Sequence, residues 1–235
     1  MGEDSEQLQP LAAAEICFYN EVRTIGKNLE SLMLGELFDY AICVDGPFPG
    51  YPGAQKSDDG SREVIKSFKN TILVDMPAEE YFKRELACHI CRNLGCMFIL
   101  IIDADEFLIR RNVKQFRRGL EKILESGSDR NIFGINYCMG YPDQFSDKPR
   151  LWYKPWEVEY IRGSHWRFKN MFHNKYYDKA IQGDRWNQVV EGIVIRHESE
   201  PRGKEREKIM YNYQQDIKEP FERSLDFDKI EFIEK

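Results

Sequence analysis

Two acidic side chains that directly follow an apolar run are the strongest candidates for chemistry in this sequence. The run 97–102 leads into Asp103-Ala104-Asp105. If the run is a strand, the two carboxylates converge where it ends, and the small Ala104 leaves space between them. Carboxylate oxygens suit Mg²⁺ or Mn²⁺ ions that also bind water and phosphate oxygens. The pattern therefore predicts a divalent-metal site, and its plain alternative is an acidic pair at a turn before a helix.

The segments that must position this pair alternate between strand-like and helix-like patterns. Apolar runs predict strands at 15–19, 38–44, 71–75, 97–102 and 131–138. Amphipathic periodicity predicts helices between them, at 24–33, 61–69, 78–94 and 113–126. This order predicts an α/β fold with a mainly parallel central sheet that is flanked by helices.

Polar residues follow several of the predicted strands. Asn20-Glu21 and Asp45 come after the first two strands, as Asp103 and Asp105 come after the fourth. In parallel sheets, ligands bind beyond the carboxyl ends of the strands. We therefore expect these side chains to share one edge of the sheet.

The rest of the chain gives weaker signals. Segment 46–60 is rich in proline and glycine and predicts a long loop. Segment 141–196 is rich in Trp, Tyr, Arg and His and has no clean period, apart from a predicted strand at 189–195. Segment 199–218 has the pattern of one more helix.

Size and charge restrict the function classes. The chain has 235 residues, which suits a single domain, and its net charge is -6. A strong basic field is absent, so binding to nucleic acid is not expected. The N-terminus lacks the pattern of a signal peptide and no apolar run is long enough to span a bilayer, which predicts a cytoplasmic protein. Peripheral membrane contact through the C-terminal segment and homo-oligomer formation stay open.

Three motifs lie at the ends of predicted strands: Ile16-Cys17-Phe18-Tyr19-Asn20-Glu21, Val44-Asp45-Gly46 and the run ILIIDADEFL at 99–108. Together they resemble motifs of family 2 glycosyltransferases, which have the GT-A fold. Ile16-Cys17-Phe18-Tyr19-Asn20-Glu21 is similar to their first strand and Tyr-Asn-Glu turn. Val44-Asp45-Gly46 resembles the end of their second strand, and the run ILIIDADEFL at 99–108 is similar to their D-x-D strand. The Asp-Ala-Asp-Glu-Phe form is that of a family-2-like subgroup. The match covers residues 14–140 and not the last part of the chain.

The resemblance implies a domain organisation. A single GT-A domain, Rossmann-like and built to bind a nucleotide-diphospho-sugar, would span 1–235. Its parts would be a nucleotide-sugar-binding half at 14–140, an acceptor-side half at 141–200 and a C-terminal helical extension at 201–235.

The resemblance also implies roles for individual residues. Those that would contact the nucleoside are Tyr19, Asn20, Glu21 and Asp45. Asp103 would touch the ribose or the metal, with Ala104 beside the donor, and Asp105 would bind Mn²⁺ or Mg²⁺. Some enzymes of this fold supply a third metal ligand from a late histidine, which here is His197. An exposed loop histidine is the alternative at that position.

A catalytic base is less well marked. Transfer with inversion needs a carboxylate or a histidine to deprotonate the acceptor hydroxyl. The candidates in segment 141–196 are Asp184 and His165, together with Glu157 and Glu159. The Glu-Asp pair that is usual in the family is not evident there, so inverting and retaining outcomes both stay open.

The sequence therefore predicts a metal-dependent glycosyltransferase. It would move a sugar from a nucleotide-sugar donor to an acceptor hydroxyl on a saccharide, a lipid-linked sugar or a protein. One alternative is a phosphatase or phosphotransferase of the haloacid-dehalogenase type, which also places D-x-D after an apolar strand. Another is a non-catalytic GT-A scaffold that binds a nucleotide. The donor sugar, the nucleotide base and the acceptor are not fixed by the sequence.

Overall fold

Strands and helices alternate in the first two thirds of the chain. The computed structural model describes residues 11–49, 51, 53–128, 132–139, 144–157 and 189–197. The strands are β1 Ala12–Phe18, β2 Tyr40–Asp45, β3 Thr71–Asp75, β4 Phe98–Asp103, β5 Glu106–Arg111, β6 Ile132–Met139, β7 Gln144–Tyr153 and β8 Val189–His197. The helices are α1 Ile25–Met33, α2 Ser61–Ser67, α3 Glu80–Asn93 and α4 Val113–Ser126, with a short 3-10 helix at Pro155–Glu157. The helix predicted at 199–218 lies outside the described residues.

All the described strands form one sheet in the order β3-β2-β1-β4-β7-β6-β8-β5. The four strands from β3 to β4 are parallel to one another. Beyond β4 the sheet is mixed, because β7 is antiparallel to both β4 and β6, and β5 is antiparallel to β8. The α/β fold with flanking helices is confirmed, whereas the prediction of a mainly parallel sheet is wrong for the second half.

Two strands that the sequence patterns did not predict explain this difference. β5 begins directly after the two-residue turn at 104–105, so it needs no crossover helix. The apolar stretch of β5 is short and is flanked by Glu106 and Arg110-Arg111, so the sequence pattern does not indicate a strand there. β7 contains Asp147-Lys148-Pro149 and lacks the alternation of a half-buried strand. Both strands pair antiparallel, which makes the sheet mixed.

The central strand β4 is buried on both faces. Phe98, Leu100 and Ile102 pack into the core cluster on one face of the sheet. Ile99 and Ile101 pack into the cluster on the other face. A strand fixed by packing on both sides holds the residues that follow it in a defined position.

None of the helices within the described residues is both long and apolar enough to cross a membrane.

Candidate active site

The ends of three parallel strands bring the predicted site residues to one edge of the sheet. In the ladder between β1 and β2, Phe18 is the partner of Asp45. In the ladder between β1 and β4, Cys17 is the partner of Asp103. Asp45, Asp103 and the turn after Phe18 therefore lie side by side at the carboxyl edge, where ligands of parallel sheets bind.

Asp103 faces two arginines. Its Oδ1 accepts a hydrogen bond from Nη2 of Arg84 at 2.7 Å, and its Oδ2 lies 3.7 Å from Nη2 of Arg150. Burial acts to raise the pKa of Asp103, but the Arg84 and Arg150 guanidiniums outweigh burial and hold this pKa below its usual range. The Asp103 carboxylate is therefore ionised and already partnered by cations.

Asp105 faces His197 on the neighbouring part of the sheet. Oδ2 of Asp105 lies 3.2 Å from Nε2 of His197. The Asp105 side chain is 6% exposed and the His197 side chain is 38% exposed. The hydrogen bond to Asp105 raises the pKa of His197, although burial acts in the opposite direction. The structure therefore brings together two of the three predicted metal ligands.

The register of β5 and β8 explains why His197 reaches this position. His197 ends β8 and is the ladder partner of Glu106, the first residue of β5. β8 lies close against α4 at Gly192, whose φ is +106°. A Cβ at Gly192 would lie 2.6 Å from the backbone nitrogen of Phe116, so only glycine allows this approach without displacement.

The donor set fits a divalent cation in part. Asp105 offers one oxygen and His197 one nitrogen, a combination that suits Mn²⁺. Their separation of 3.2 Å is close to the spacing of roughly 3 Å between adjacent ligands of an octahedral ion with bonds of about 2.1 Å. Over the part of the chain that the structure describes, no group of three His, Cys, Asp or Glu side chains could hold a metal ion. Of the Asp103 carboxylate, Oδ1 is bonded to Arg84 and Oδ2 lies 3.7 Å from Arg150.

Asp45, predicted to contact the nucleoside, is fully buried. Its carboxylate accepts hydrogen bonds from the backbone N–H of Ser57 at 3.0 Å and from the Ser57 hydroxyl at 2.6 Å. Arg62 donates to Asp45 at 2.5 Å and also pairs with Asp75 at the end of β3. Asp45 therefore binds the loop after β2 and the first turn of α2.

The loop after β2 also contacts the turn that follows β1. The Tyr19 hydroxyl donates to the carbonyl of Ala54 at 2.9 Å. The backbone N–H of Asn20 donates to Oγ of Ser57 at 2.8 Å, and the N–H of Asp58 donates to Oδ1 of Asn20 at 3.0 Å. The polar groups that the resemblance assigns to a nucleoside are thus bonded to this loop.

Glu21 lies in the same turn and precedes α1. Its backbone N–H donates to Oγ of Ser61 at 2.8 Å, and its carbonyl accepts the N–H of Ile25 at 2.9 Å. The Thr24 hydroxyl lies 3.3 Å from a carboxylate oxygen of Glu21. Ala104, also predicted to lie beside the donor, is buried in the turn between Asp103 and Asp105. The predicted bases Asp184 and His165 lie outside the described residues.

Several site residues were not found from the sequence. Arg84 is fully buried and bonds Glu15 at 2.7 Å as well as Asp103. Arg150 and Glu106 are buried and bond each other at 2.6 Å. One sequence signal indicates a buried ion pair. Glu15 is a charged residue inside the otherwise apolar strand β1, and a charged residue needs a partner when it is buried.

Comparison with known proteins identifies the fold. No protein-family model matches the chain. No curated protein matches it significantly. The structure of residues 1–349 of TarS from S. aureus is similar with a TM-score of 0.52 and 13% identity, over 80% of this chain and 60% of that one. Glucosyl-3-phosphoglycerate synthase from Mycobacterium tuberculosis, in complex with Mn²⁺, UDP and glucosyl-3-phosphoglycerate, is similar with a TM-score of 0.51 and 12% identity, over 88% and 78%.

A further mycobacterial protein is similar with a TM-score of 0.50 and 13% identity, over 82% of this chain and 68% of that one. The chain spans 60% of the length of the TarS structure that it matches. At these identities the likeness concerns the fold alone. The fold is that of GT-A glycosyltransferases, as the sequence resemblance predicted.

Proposed function

We propose that this chain is a metal-dependent glycosyltransferase of the Asp-Ala-Asp-Glu-Phe, family-2-like subgroup, which moves a sugar from a nucleotide-sugar to an acceptor hydroxyl. The observation that carries the proposal is the pair of Asp105 and His197, 3.2 Å apart at the carboxyl edge of a GT-A sheet. This edge is where such sheets bind their ligands. Asp105 lies in the turn directly after the D-x-D strand β4. The register of β5 and β8 brings His197 to it.

Asp105 and His197 would hold Mn²⁺ or Mg²⁺, and Asp103 would touch the ribose or join them as a ligand. A bound divalent ion supplies positive charge that neutralises a leaving nucleoside diphosphate. Arg84 and Arg150 add two guanidinium groups next to Asp103. These cations keep Asp103 ionised. Both are buried and are themselves bonded to carboxylates, Arg84 to Glu15 and Glu80 and Arg150 to Glu106, so positive charge towards a phosphate would come from the bound ion.

The nucleoside end of the site is engaged within the protein. The Tyr19 hydroxyl, Asn20 and Asp45 bond Ala54, Ser57 and Asp58, and release of these hydrogen bonds would free their polar groups for a base or ribose. We therefore propose that the loop 53–60 moves when the donor binds. Loop movements that accompany substrate binding also exclude water from the reacting atoms.

The acceptor would bind to the acceptor-side half at 141–200. Asp184 and His165 are the proposed groups that remove the proton from the acceptor hydroxyl. The acceptor would be a saccharide, a lipid-linked sugar or a protein hydroxyl.

The two alternative functions differ in their support. A haloacid-dehalogenase-type phosphatase finds no support in the GT-A fold, in which β4 has the antiparallel strand β7 beside it. A non-catalytic GT-A scaffold would share the fold and the edge. Turnover of a nucleotide-sugar separates that scaffold from a transferase.

A thermal-shift series tests the proposal directly. The unfolding midpoint is measured with UDP, GDP, CDP and dTDP, each with Mn²⁺ and with EDTA. A ligand present at about 100 times its Kd stabilises a protein of this size by about 2.7 kcal/mol, which raises the midpoint by about 5–10 °C. We expect such a rise with one diphosphate and Mn²⁺, and its loss in Asp105→Asn and in His197→Gln.

Glu125→Gln is the matched control, because Glu125 is an exposed carboxylate on α4, remote from this edge. It should respond as the wild type does. Midpoints that no nucleoside diphosphate raises, with Mn²⁺ or without it, would contradict the donor site. A metal-dependent rise without transfer or hydrolysis of any matching nucleotide-sugar would favour the scaffold instead.

A further inference from the structure

Glu106, the residue directly after the two aspartates, is at the centre of a buried polar network. Its side chain is 1% exposed. Oε1 accepts hydrogen bonds from the Tyr137 hydroxyl at 2.5 Å and from Nη2 of Arg150 at 2.6 Å. Oε2 accepts the backbone N–H of Asp103 at 2.9 Å. One carboxylate therefore joins the turn at 103–106 to β6 and β7.

The divergence of two strands explains why such a network is needed. β4 pairs with β7 only from Phe98 to Leu100. Beyond Leu100, none of the described strands pairs with that side of β4, and Glu106 rather than a strand carbonyl accepts the N–H of Asp103. Arg150 directly precedes Leu151, the β7 residue that pairs with Leu100. Its guanidinium fills the space where β4 and β7 separate. Glu106 supplies both the acceptor for Asp103 and the counter-charge for Arg150.

Asn28 of α1 also bonds the same turn. Its Nδ2 donates to the carbonyl of Asp103 at 3.0 Å and to the carbonyl of Glu106 at 2.5 Å. Both backbone groups of Asp103 are thus bonded to side chains that come from outside β4. Residues 104–105 form the turn between these fixed points. The direction in which Asp105 leaves the turn is set by this frame.

Glu106 does not face the ligand edge. Its two oxygens are directed at Asp103 N–H, Tyr137 and Arg150, all of them within the protein. A role as general base towards an acceptor is therefore excluded by its burial and its partners. The side chains that leave the turn in other directions are Asp103, towards Arg84, and Asp105, towards His197.

We infer that Glu106 is a positioning residue, which fixes the turn at 103–106 so that Asp105 faces His197 at ligand spacing. The inference rests on the proposed function, since it assigns Glu106 a role in metal binding through Asp105. Partners that orient metal ligands typically change affinity by about 10–100-fold when they are replaced. Glu106 would act in this way through the backbone of the turn rather than by touching the ion.

Glu106→Gln tests the inference with little change in volume. The amide keeps one acceptor but adds an NH₂ group, which must face the Asp103 N–H or the Tyr137 and Arg150 donors. The turn then has to shift to relieve the contact between two donors. We expect the Kd for Mn²⁺, measured by titration calorimetry and by electron paramagnetic resonance of bound Mn²⁺, to rise about tenfold. Glu121→Gln, an exposed carboxylate on α4, is the matched control and should keep the wild-type Kd.

The outcomes separate the two proposals. If the wild type binds Mn²⁺ and folded Glu106→Gln binds it within about twofold of the same Kd, the positioning role is overturned while the metal site stands. If the wild type binds no Mn²⁺, the metal site itself fails and the role of Glu106 falls with it. Circular dichroism and the unfolding midpoint establish that each variant is folded.

Tyr137→Phe carries the test if Glu106→Gln does not fold. This change removes the hydroxyl that donates to Oε1 and leaves the charge of Glu106 and its bond to Asp103 in place. We expect a smaller rise in the Kd for Mn²⁺, about threefold, because one of the contacts that orient Glu106 is lost. An unchanged Kd in folded Tyr137→Phe would overturn the inference in that case.

Discussion

Arg84 and Glu15 form an ion pair in which Nη1 lies 2.7 Å from Oε2, and neither side chain is exposed to solvent. The other terminal nitrogen of Arg84 bonds both Glu80 and Asp103. Burial raises the pKa of Glu15, and the Arg84 guanidinium counteracts this rise. A single cation thus joins the interior of β1, helix α3 and the end of β4.

Replacement of Arg84 by methionine should destabilise the protein strongly. Removal of one partner from a buried ion pair costs about 3–5 kcal/mol, because the remaining charge is left without compensation. Urea unfolding of Arg84→Met, compared with the wild type, measures this loss. A loss below about 1 kcal/mol, typical of an exposed ion pair, would contradict the buried arrangement.

The double variant Glu15→Gln/Arg84→Met is the control for this prediction. It also removes the Glu15 charge that Arg84→Met leaves unpaired in β1. Its loss of unfolding free energy should therefore be smaller than the sum of the losses in the two single variants. A purely additive result would mean that Glu15 and Arg84 do not depend on each other for stability.

Ser57→Ala should have opposite effects on stability and on donor affinity. The Ser57 hydroxyl donates to Asp45 and accepts the N–H of Asn20, so its loss should cost about 1–3 kcal/mol of unfolding free energy. If Asp45 and Asn20 must leave the loop to meet a nucleoside, the variant populates the binding-competent form more. The apparent Kd for the matching nucleoside diphosphate should then fall by about two- to tenfold.

Ser67→Ala is the matched control, since Ser67 is exposed on α2 and its hydroxyl donates to the carbonyl of Val64 in its own helix. Titration calorimetry measures both variants with the diphosphate found in the thermal-shift series. An unchanged or raised Kd in Ser57→Ala would mean that loop release is not part of donor binding.

The first half of the fold was predictable because its signals are local. β4 is a continuous apolar run, and α4 is capped by Asn112, whose Oδ1 accepts the Gln115 N–H at 3.1 Å. β5 and β7 were not predicted, because charged residues and Pro149 interrupt their apolar pattern. Their existence depends on pairing with strands that are distant in the sequence.

The site was predictable to a similar extent. Asp103 and Asp105 follow the most apolar strand, so their position at the sheet edge comes from a local pattern. The pairing of Glu106 with Arg150 joins residues 44 positions apart, and no local period indicates it. His197 was proposed as a ligand by resemblance alone, and its distance to Asp105 comes from the register of β5 and β8.

His89 on α3 should make stability depend on pH in the mildly acidic range. Burial lowers the pKa of His89 from its usual value of about 6.5, and the nearby Arg92 cation lowers it further. The unfolded chain therefore takes up the proton more readily than the folded one. The stabilising contribution of neutral His89 is present above the unfolded pKa and is lost as the pH falls below it.

His89→Gln should consequently gain stability relative to the wild type as the pH is lowered. Urea unfolding at about pH 8 and about pH 5.5 gives, at each pH, the difference in unfolding free energy between the variant and the wild type. We expect the difference to shift in favour of the variant at the lower pH. A shift in the other direction would mean that the folded protein favours the charged imidazole.

Gly192→Ala should damage both stability and metal binding. The added Cβ would lie 2.6 Å from the Phe116 nitrogen and 2.9 Å from the Asn112 carbonyl oxygen, at a backbone φ of +106°. Strain and overpacking together should cost about 2–5 kcal/mol, measured by urea unfolding. Because β8 carries His197 next to Asp105, a displaced strand should also weaken Mn²⁺ binding.

Gly127→Ala separates the two contributions to this prediction. Gly127 also has a positive φ, +58°, but a Cβ there would meet nothing within 4 Å. Its substitution should cost only the conformational strain, about 1 kcal/mol, and should leave Mn²⁺ binding unchanged. Equal losses of stability and of Mn²⁺ binding in the two variants would mean that only backbone strain acts at Gly192. The contact between β8 and α4 would then not limit the position of His197.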